Sequence, residues 1–191
     1  MHMKLFRLIT FTGFLFFVLF SCKNESKTEV VTAKKNDSLI EKINSPELKA
    51  LNKKILDDPD NAALYNERAQ LYIKLKQLDL ALGDANRALK VDSTVAQYYI
   101  TFADVNFAGN KTRVAKETLE KVVKKFPNNT EGLLKLGELF FLVRQYENAL
   151  THINKALKLD DNIAKAYYLK GSVFKEMGDT SRAISSMQTA I

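Results

Sequence analysis

From Ala62 onwards, small, apolar and aromatic positions recur along the chain with a fixed step of 34 residues. Ala69, Ala103, Gly137 and Gly171 form one series; Ala81, Ala115, Ala149 and Ala183 form a second; Ala88, Val122, Ala156 and Ala190 form a third. Bulky residues keep the same step, at Tyr65, Tyr99, Leu133 and Tyr167, and at Tyr72, Asn106, Phe140 and Phe174. Within one step the pattern predicts two helices, about Ala62–Leu75 and Asp79–Val91 in the first copy. Four copies follow, 62–95, 96–129, 130–163 and a shorter 164–191. Helix starts are expected at Asp60 or Asn61, Ser93 or Thr94, Asn129 or Thr130, and Asp161 or Asn162. Gly109 and Gly178 mark turns between the two helices of their copies.

The small residues have a mechanical reading. Ala69 and its equivalents let the second helix approach the first closely, and Ala81 and Ala88 do the same from the other side, with the aromatics filling the space beside them. Ahead of the first copy, Ser45-Pro46-Glu47 is a helix-start signature, Leu48, Leu51 and Ile55 form one apolar stripe, and Asp58-Pro59 ends it. The segment 45–61 therefore predicts a capping helix that covers the first hairpin, as stacked repeats require. The last second helix carries Ile184, Met187 and Ile191 with nothing predicted to cover them, so this face is expected to dock a partner or to continue in a longer chain.

The beginning of the chain is patterned differently. Lys4 and Arg7 precede an apolar-rich run, Leu8 to Phe20, of thirteen residues. That is the length of a signal-peptide core and falls short of the ~20 residues that span a bilayer as a helix. Lys23 to about Asn44 is polar and without periodicity, so 22–44 is expected to be a mostly disordered tether. A flexible chain of that length reaches roughly 25 Å.

Two resemblances follow from these residues. The 34-residue step, with its spacing of aromatic, glycine and alanine and with Pro127 at a repeat end, resembles the tetratricopeptide repeat (TPR). The third copy matches best, through Leu133, Leu136, Gly137, Phe140, Tyr146, Ala149, Ile153 and Ala156. Departures are Asn106 in place of an aromatic, and Arg68 and Lys170 in place of a leucine. The family implies an all-α fold, a right-handed superhelical solenoid of antiparallel helix pairs with about four repeats and an N-terminal capping helix. Leu19-Phe20-Ser21-Cys22 is similar to the lipobox of bacterial lipoproteins, with Leu19 and Ser21 matching and Phe20 larger than usual. The phenylalanine-rich core followed by Ser-Cys-Lys-Asn looks like lipoproteins of the Bacteroidetes group. This resemblance implies a signal peptide over 1–21, lipid attachment (palmitate) at Cys22, and an envelope location on the outer membrane, on either its periplasmic or its outer face. Acyl chains contribute about 0.8 kcal/mol per buried methylene, so more than one anchors stably.

Composition narrows the function. Only 7 glycines and 3 prolines disfavour an all-β fold, and a single cysteine rules out an internal disulfide. The net charge of +7 is densest at Lys116, Lys121, Lys124 and Lys125, without interleaved aromatics or a nucleic-acid reader motif, so a solvated helix face is expected there. No phosphate loop, metal-spaced cluster or nucleophile–base pair is present, and His152 stands alone on the expected outer side of a second helix. The expectation is a protein that is no enzyme and takes no cofactor, metal, nucleic acid or small-molecule substrate.

The TPR resemblance places a ligand on the concave face, lined by the first helix of each copy. The slots hold Asn66, Gln70 and Ile73 in copy one, and Ile100, Asp104 and Phe107 in copy two. Copies three and four supply Glu138, Leu134, Phe141 and Leu142, then Lys165 and Tyr168. Some family members clamp a terminal carboxylate with paired lysine and asparagine here; Ile100, Asp104, Leu134 and Glu138 do not provide that clamp. The slots predict instead an apolar strip edged by Asp104, Glu138 and Lys165, suited to a helical or extended protein segment. The expected function is a membrane-anchored interaction scaffold or adaptor in the cell envelope. The alternative is a surface-exposed lipoprotein capturing extracellular peptide or glycan.

Overall fold

The computed structural model describes residues 45–190. The expected signal peptide, Cys22 and the tether lie outside these residues. Among the described residues the chain forms nine helices and no strand: α1 Pro46–Asp57, α2 Ala62–Lys74, α3 Leu78–Val91, α4 Ala96–Ala108, α5 Thr112–Lys125, α6 Thr130–Leu142, α7 Tyr146–Leu159, α8 Ala164–Glu176 and α9 Thr180–Thr189. The pairs α2/α3, α4/α5, α6/α7 and α8/α9 pack most extensively, each as one hairpin. Each second helix then packs on the next first helix, and each first helix also touches the first helix of the next copy. Second helices stand apart, so the first helices line the inside of a curved stack and the second helices its outside. The helix α1 packs on α2 through buried Leu48, Leu51 and Ile55. It starts as its sequence requires, with Ser45 Oγ accepting from the Leu48 N–H and Pro46 at the first helical position.

The recurring small residues sit where helices approach most closely. Ala69, Ala81, Ala88, Ala115, Ala149 and Ala156 are wholly buried. A Cβ added at Gly137 would lie 3.0 Å from Ile153 Cγ1 and 3.3 Å from the Ala149 carbonyl oxygen. At Gly171 it would lie 2.6 Å from Met187 Cγ and 3.1 Å from the Ala183 carbonyl oxygen. The same seam is thus used in copies three and four, with glycine allowing a closer approach than alanine. Copies two to four share one contiguous core, whose centre is Ile100, Val122, Leu136, Ile153 and Val173.

Copy one is built differently at one point. Arg68, where a leucine was expected, donates to both oxygens of the buried Asp84 at 2.6 and 2.7 Å and reaches Asn52 Oδ1 on α1 at 2.7 Å. Its guanidinium also lies over Tyr65 and Tyr72. One cation therefore ties α1, α2 and α3 together, and Asp84 holds Arg68 above its already high pKa, chiefly by their hydrogen bond.

The hairpin turns repeat with the same step. Lys76, Asn110, Arg144 and Gly178 have φ of 58°, 60°, 60° and 82°. In each, the N–H of the following residue bonds the carbonyl five positions back, as from Gln77 to Tyr72 at 2.8 Å and from Asp179 to Phe174 at 2.9 Å. These are Schellman closures, which satisfy carbonyls that a helix end leaves open. Gly109 precedes the left-handed position, with φ of −84°; Asn110 occupies it.

Three expectations are corrected. Val95 and Ile163, not Ser93/Thr94 or Asp161/Asn162, occupy the N-cap positions of α4 and α8. The polar work is done three residues earlier in the turn, where Asp92 and Asp160 accept the N–H groups of Thr94 and Asn162. Asn129 is the N-cap of α6, as expected, and bonds the Gly132 N–H at 2.6 Å. Finally, His152 is not on an open outer face. It stacks on Phe140 with ring centroids 5.5 Å apart, and its Nδ1 is buried without a hydrogen-bond partner. Desolvation holds its pKa below the ordinary 6.5.

Candidate partner-binding surface

The inner face is stitched across successive first helices by side chains. Gln70 Nε2 on α2 donates to Thr101 Oγ1 on α4 at 3.3 Å. Lys135 Nζ on α6 donates to both Asp104 oxygens on α4 at 2.8 Å, and Lys165 Nζ on α8 to Glu138 Oε2 on α6 at 2.9 Å. All four charged groups are partly exposed, so each pair contributes at most about 1 kcal/mol. Their effect is geometric: they hold neighbouring first helices in register and engage the carboxylates from within the protein.

Two clefts open beside these pairs. Between α4 and α6, Asp104, Phe107, Lys135, Glu138, Leu139 and Leu142 line a cavity of about 80 Å³. Between α6 and α8, a wider cleft of about 340 Å³ is lined by Phe141, Leu142, Tyr168, Ser172 and Lys175, with Met187 of α9. The most open apolar groups lining the two clefts are Tyr168, 61% exposed, Leu142, 53%, and Phe107, 39%. Glu138 and Leu142 belong to both clefts, which makes α6 the centre of the surface.

The expected lining residues are thus only partly brought together. Ile100 and Leu134 are buried and cannot present a side chain to a ligand. Their slot faces the seam between first helices, which pack directly on one another. Tyr168 holds the same register position yet is open, because no further first helix packs beyond α8 among the described residues. Asn66 is also buried, its Oδ1 lacking a partner, and Ile73 packs against the copy-one core. Phe141 is half-buried against the main core and 6.3 Å from the Tyr146 ring. The apolar strip contracts to Phe107, Leu142 and Tyr168, with Phe141 at its floor. Asp104 and Glu138 form internal ion pairs and are not free rim charges. Lys135 was missed; the signal is an offset of 31 residues, which joins Gln70 to Thr101 and Asp104 to Lys135 alike. That offset is one helical turn short of the repeat and marks side chains that meet across successive first helices.

Among the described residues no group of three or more His, Cys, Asp or Glu is placed to hold a metal ion, and no helix is long and apolar enough to cross a membrane.

Comparison with known proteins agrees with this geometry. Two family models described as tetratricopeptide repeat match the chain, one over residues 100–164 and the other over 62–94 and 164–191. Serine/threonine-protein phosphatase 5 of Rattus norvegicus is 35% identical over 49% of this chain and 19% of its own length. Mitochondrial import receptor subunit TOM70 of Homo sapiens is 31% identical over 60% of this chain and 20% of its own. The chain therefore spans about a fifth of the length of these relatives. Among solved structures, a thermophilic TPR protein of Thermus thermophilus superposes with a TM-score of 0.68 at 14% identity, covering 85% of both chains. Repeat spacing, nested small residues, helix pairing and family match agree: the chain belongs to the tetratricopeptide-repeat family, an all-α solenoid that serves as a protein–protein interaction scaffold.

Proposed function

We propose that the protein is a membrane-anchored adaptor of the bacterial cell envelope that holds a partner segment in the clefts between α4, α6 and α8. The observation that carries the binding half is the exposure of Tyr168, Leu142 and Phe107 on the inner face, beside side chains that hold the first helices in register. Apolar groups spaced along a preformed groove suit a helical or extended segment presenting side chains at regular intervals. TOM70 is named as an import receptor, a precedent for a related repeat array that receives other proteins. The anchoring half rests on the sequence around Cys22. Leu142→Glu and Tyr168→Ala change exposed groups and preserve the fold, so loss of partner with an unchanged helical dichroism spectrum supports the groove. Unaltered partner recovery from both variants overturns it. Metabolic labelling with palmitate, lost in Cys22→Ser, tests the anchor; labelling absent in the parent chain excludes it. A surface-exposed lipoprotein that captures peptide or glycan is the second reading, and protease cleavage on intact cells separates the two.

A further inference from the structure

The outside of the stack carries a pattern that the groove does not use. Leu56, Lys90, Lys124 and Lys158 occupy one register position, in α1 and in the second helices of three copies, and all are exposed. Lys53, Arg87, Lys121 and Lys155 form a parallel column one helical turn earlier. Together the two columns make a basic ridge running across α1 and the successive second helices. Lys90, Lys124 and Lys158 make no ion pair among the described residues. The second column is partly engaged: Arg87 reaches Asp60 at 3.3 Å, and Lys121 lies 5.0 Å from the Tyr99 ring centre. The acids of α5 are matched locally, Glu117 with Arg113 and Glu120 with Lys116. Asp92 and Asp160 follow Lys90 and Lys158, accept turn hydrogen bonds and keep their negative charge, while the middle copy has Phe126 at that place, so the ridge is most strongly basic at Lys121, Lys124 and Lys125. Cations near helix C-termini complement the macrodipole. That accounts for one lysine per helix end, and leaves Lys53, Lys155 and the exposed apolar residues of the ridge without a role in the fold.

Those apolar residues indicate the occupant. Leu56 is 81% exposed at the head of the lysine column, and Leu159, 45% exposed, adjoins Lys158 at its other end. A nucleic-acid backbone offers phosphates but no place for exposed leucines; a lipid surface offers anionic headgroups over hydrocarbon. We propose that this ridge rests on an anionic lipid surface, laying the outer face of the stack on the membrane and turning the α4/α6/α8 clefts away from it. The proposal deepens the anchored reading above and rests on it.

The test uses the full chain with vesicles of phosphatidylcholine and with an equimolar mixture of phosphatidylcholine and phosphatidylglycerol. Lysine acylation rates are read by mass spectrometry, with Lys135 and Lys175 on the inner face as internal references. Expected is protection of Lys90, Lys124 and Lys158 on the anionic vesicles alone, abolished by high salt. Each neutralised lysine weakens the anionic-over-neutral preference by about fivefold, so Lys90→Gln/Lys124→Gln/Lys158→Gln together lowers it about a hundredfold. Flotation with neutral vesicles but no difference in protection overturns the ridge and leaves the anchor standing. Failure to float with either vesicle overturns both. Protection by duplex DNA at concentrations where the anionic vesicles give none assigns the ridge to nucleic acid and overturns the lipid proposal.

Discussion

Arg68 and His152 show how single residues depart from the repeat pattern and are accommodated. Arg68 and Asp84 stand where copy three has Leu136 and His152, and copy two has Phe102 and Thr118. Removing one partner of a buried pair leaves an uncompensated charge, so Arg68→Leu should cost about 3–5 kcal/mol, measured by denaturant unfolding. Arg68→Leu with Asp84→Thr combines the uncharged residues of copies three and two and should recover most of that loss. A double variant no better than the single one contradicts the account. His152 is held neutral by desolvation, with Lys155 acting in the same direction and Glu120 opposing them. Its folded-state pKa is depressed, so its contribution to stability is complete above the ordinary value of 6.5 and is lost as pH falls through the folded value. Melting temperature should therefore drop between about pH 7 and pH 5 in the parent and drop less in His152→Gln. Parallel curves refute the assignment.

Helix ends carry the next level of prediction. Lys76 and Arg144 hold left-handed conformations that Gly178 adopts without steric penalty. Arg144→Gly should stabilise by roughly 1 kcal/mol, and Gly178→Ala should destabilise by a similar amount, both read from thermal melts. Opposite signs would show that the turn is set by something other than backbone strain. Between helices, Ala115→Leu should overpack the wholly buried seam and cost about 1–3 kcal/mol or more. The helices and their pairing were legible in the sequence because one periodic signal is written four times. The caps at Val95 and Ile163 were not, because the polar residues nearby bond within the turn and leave the cap itself apolar. The left-handed positions were half legible: Gly178 and Asn110 are residue types that adopt them readily, while Lys76 and Arg144 carry no compositional mark.

For the whole molecule, the TPR resemblance, carried over by register, identified the inner face but not what remains open on it. Ile100, Leu134 and Tyr168 share one slot, and only the packing of the following first helix decides that two are buried and one is free. Side chains that meet across copies, such as Lys135 with Asp104, are separated by 31 residues, so a reading confined to equivalent positions passes over them. The stack thereby presents two unlike surfaces, clefts with exposed apolar groups inside and a lysine ridge outside. The central claim is that the partner enters from the inner side. Site-specific photocrosslinking in living cells tests it most directly, with the reactive group placed in turn at Leu142, Tyr168, Asn86 and Asn148. The account predicts one and the same partner polypeptide joined at Leu142 and Tyr168 and none at the two second-helix positions. A partner joined at Asn86 or Asn148 but not at Leu142 and Tyr168 would contradict it.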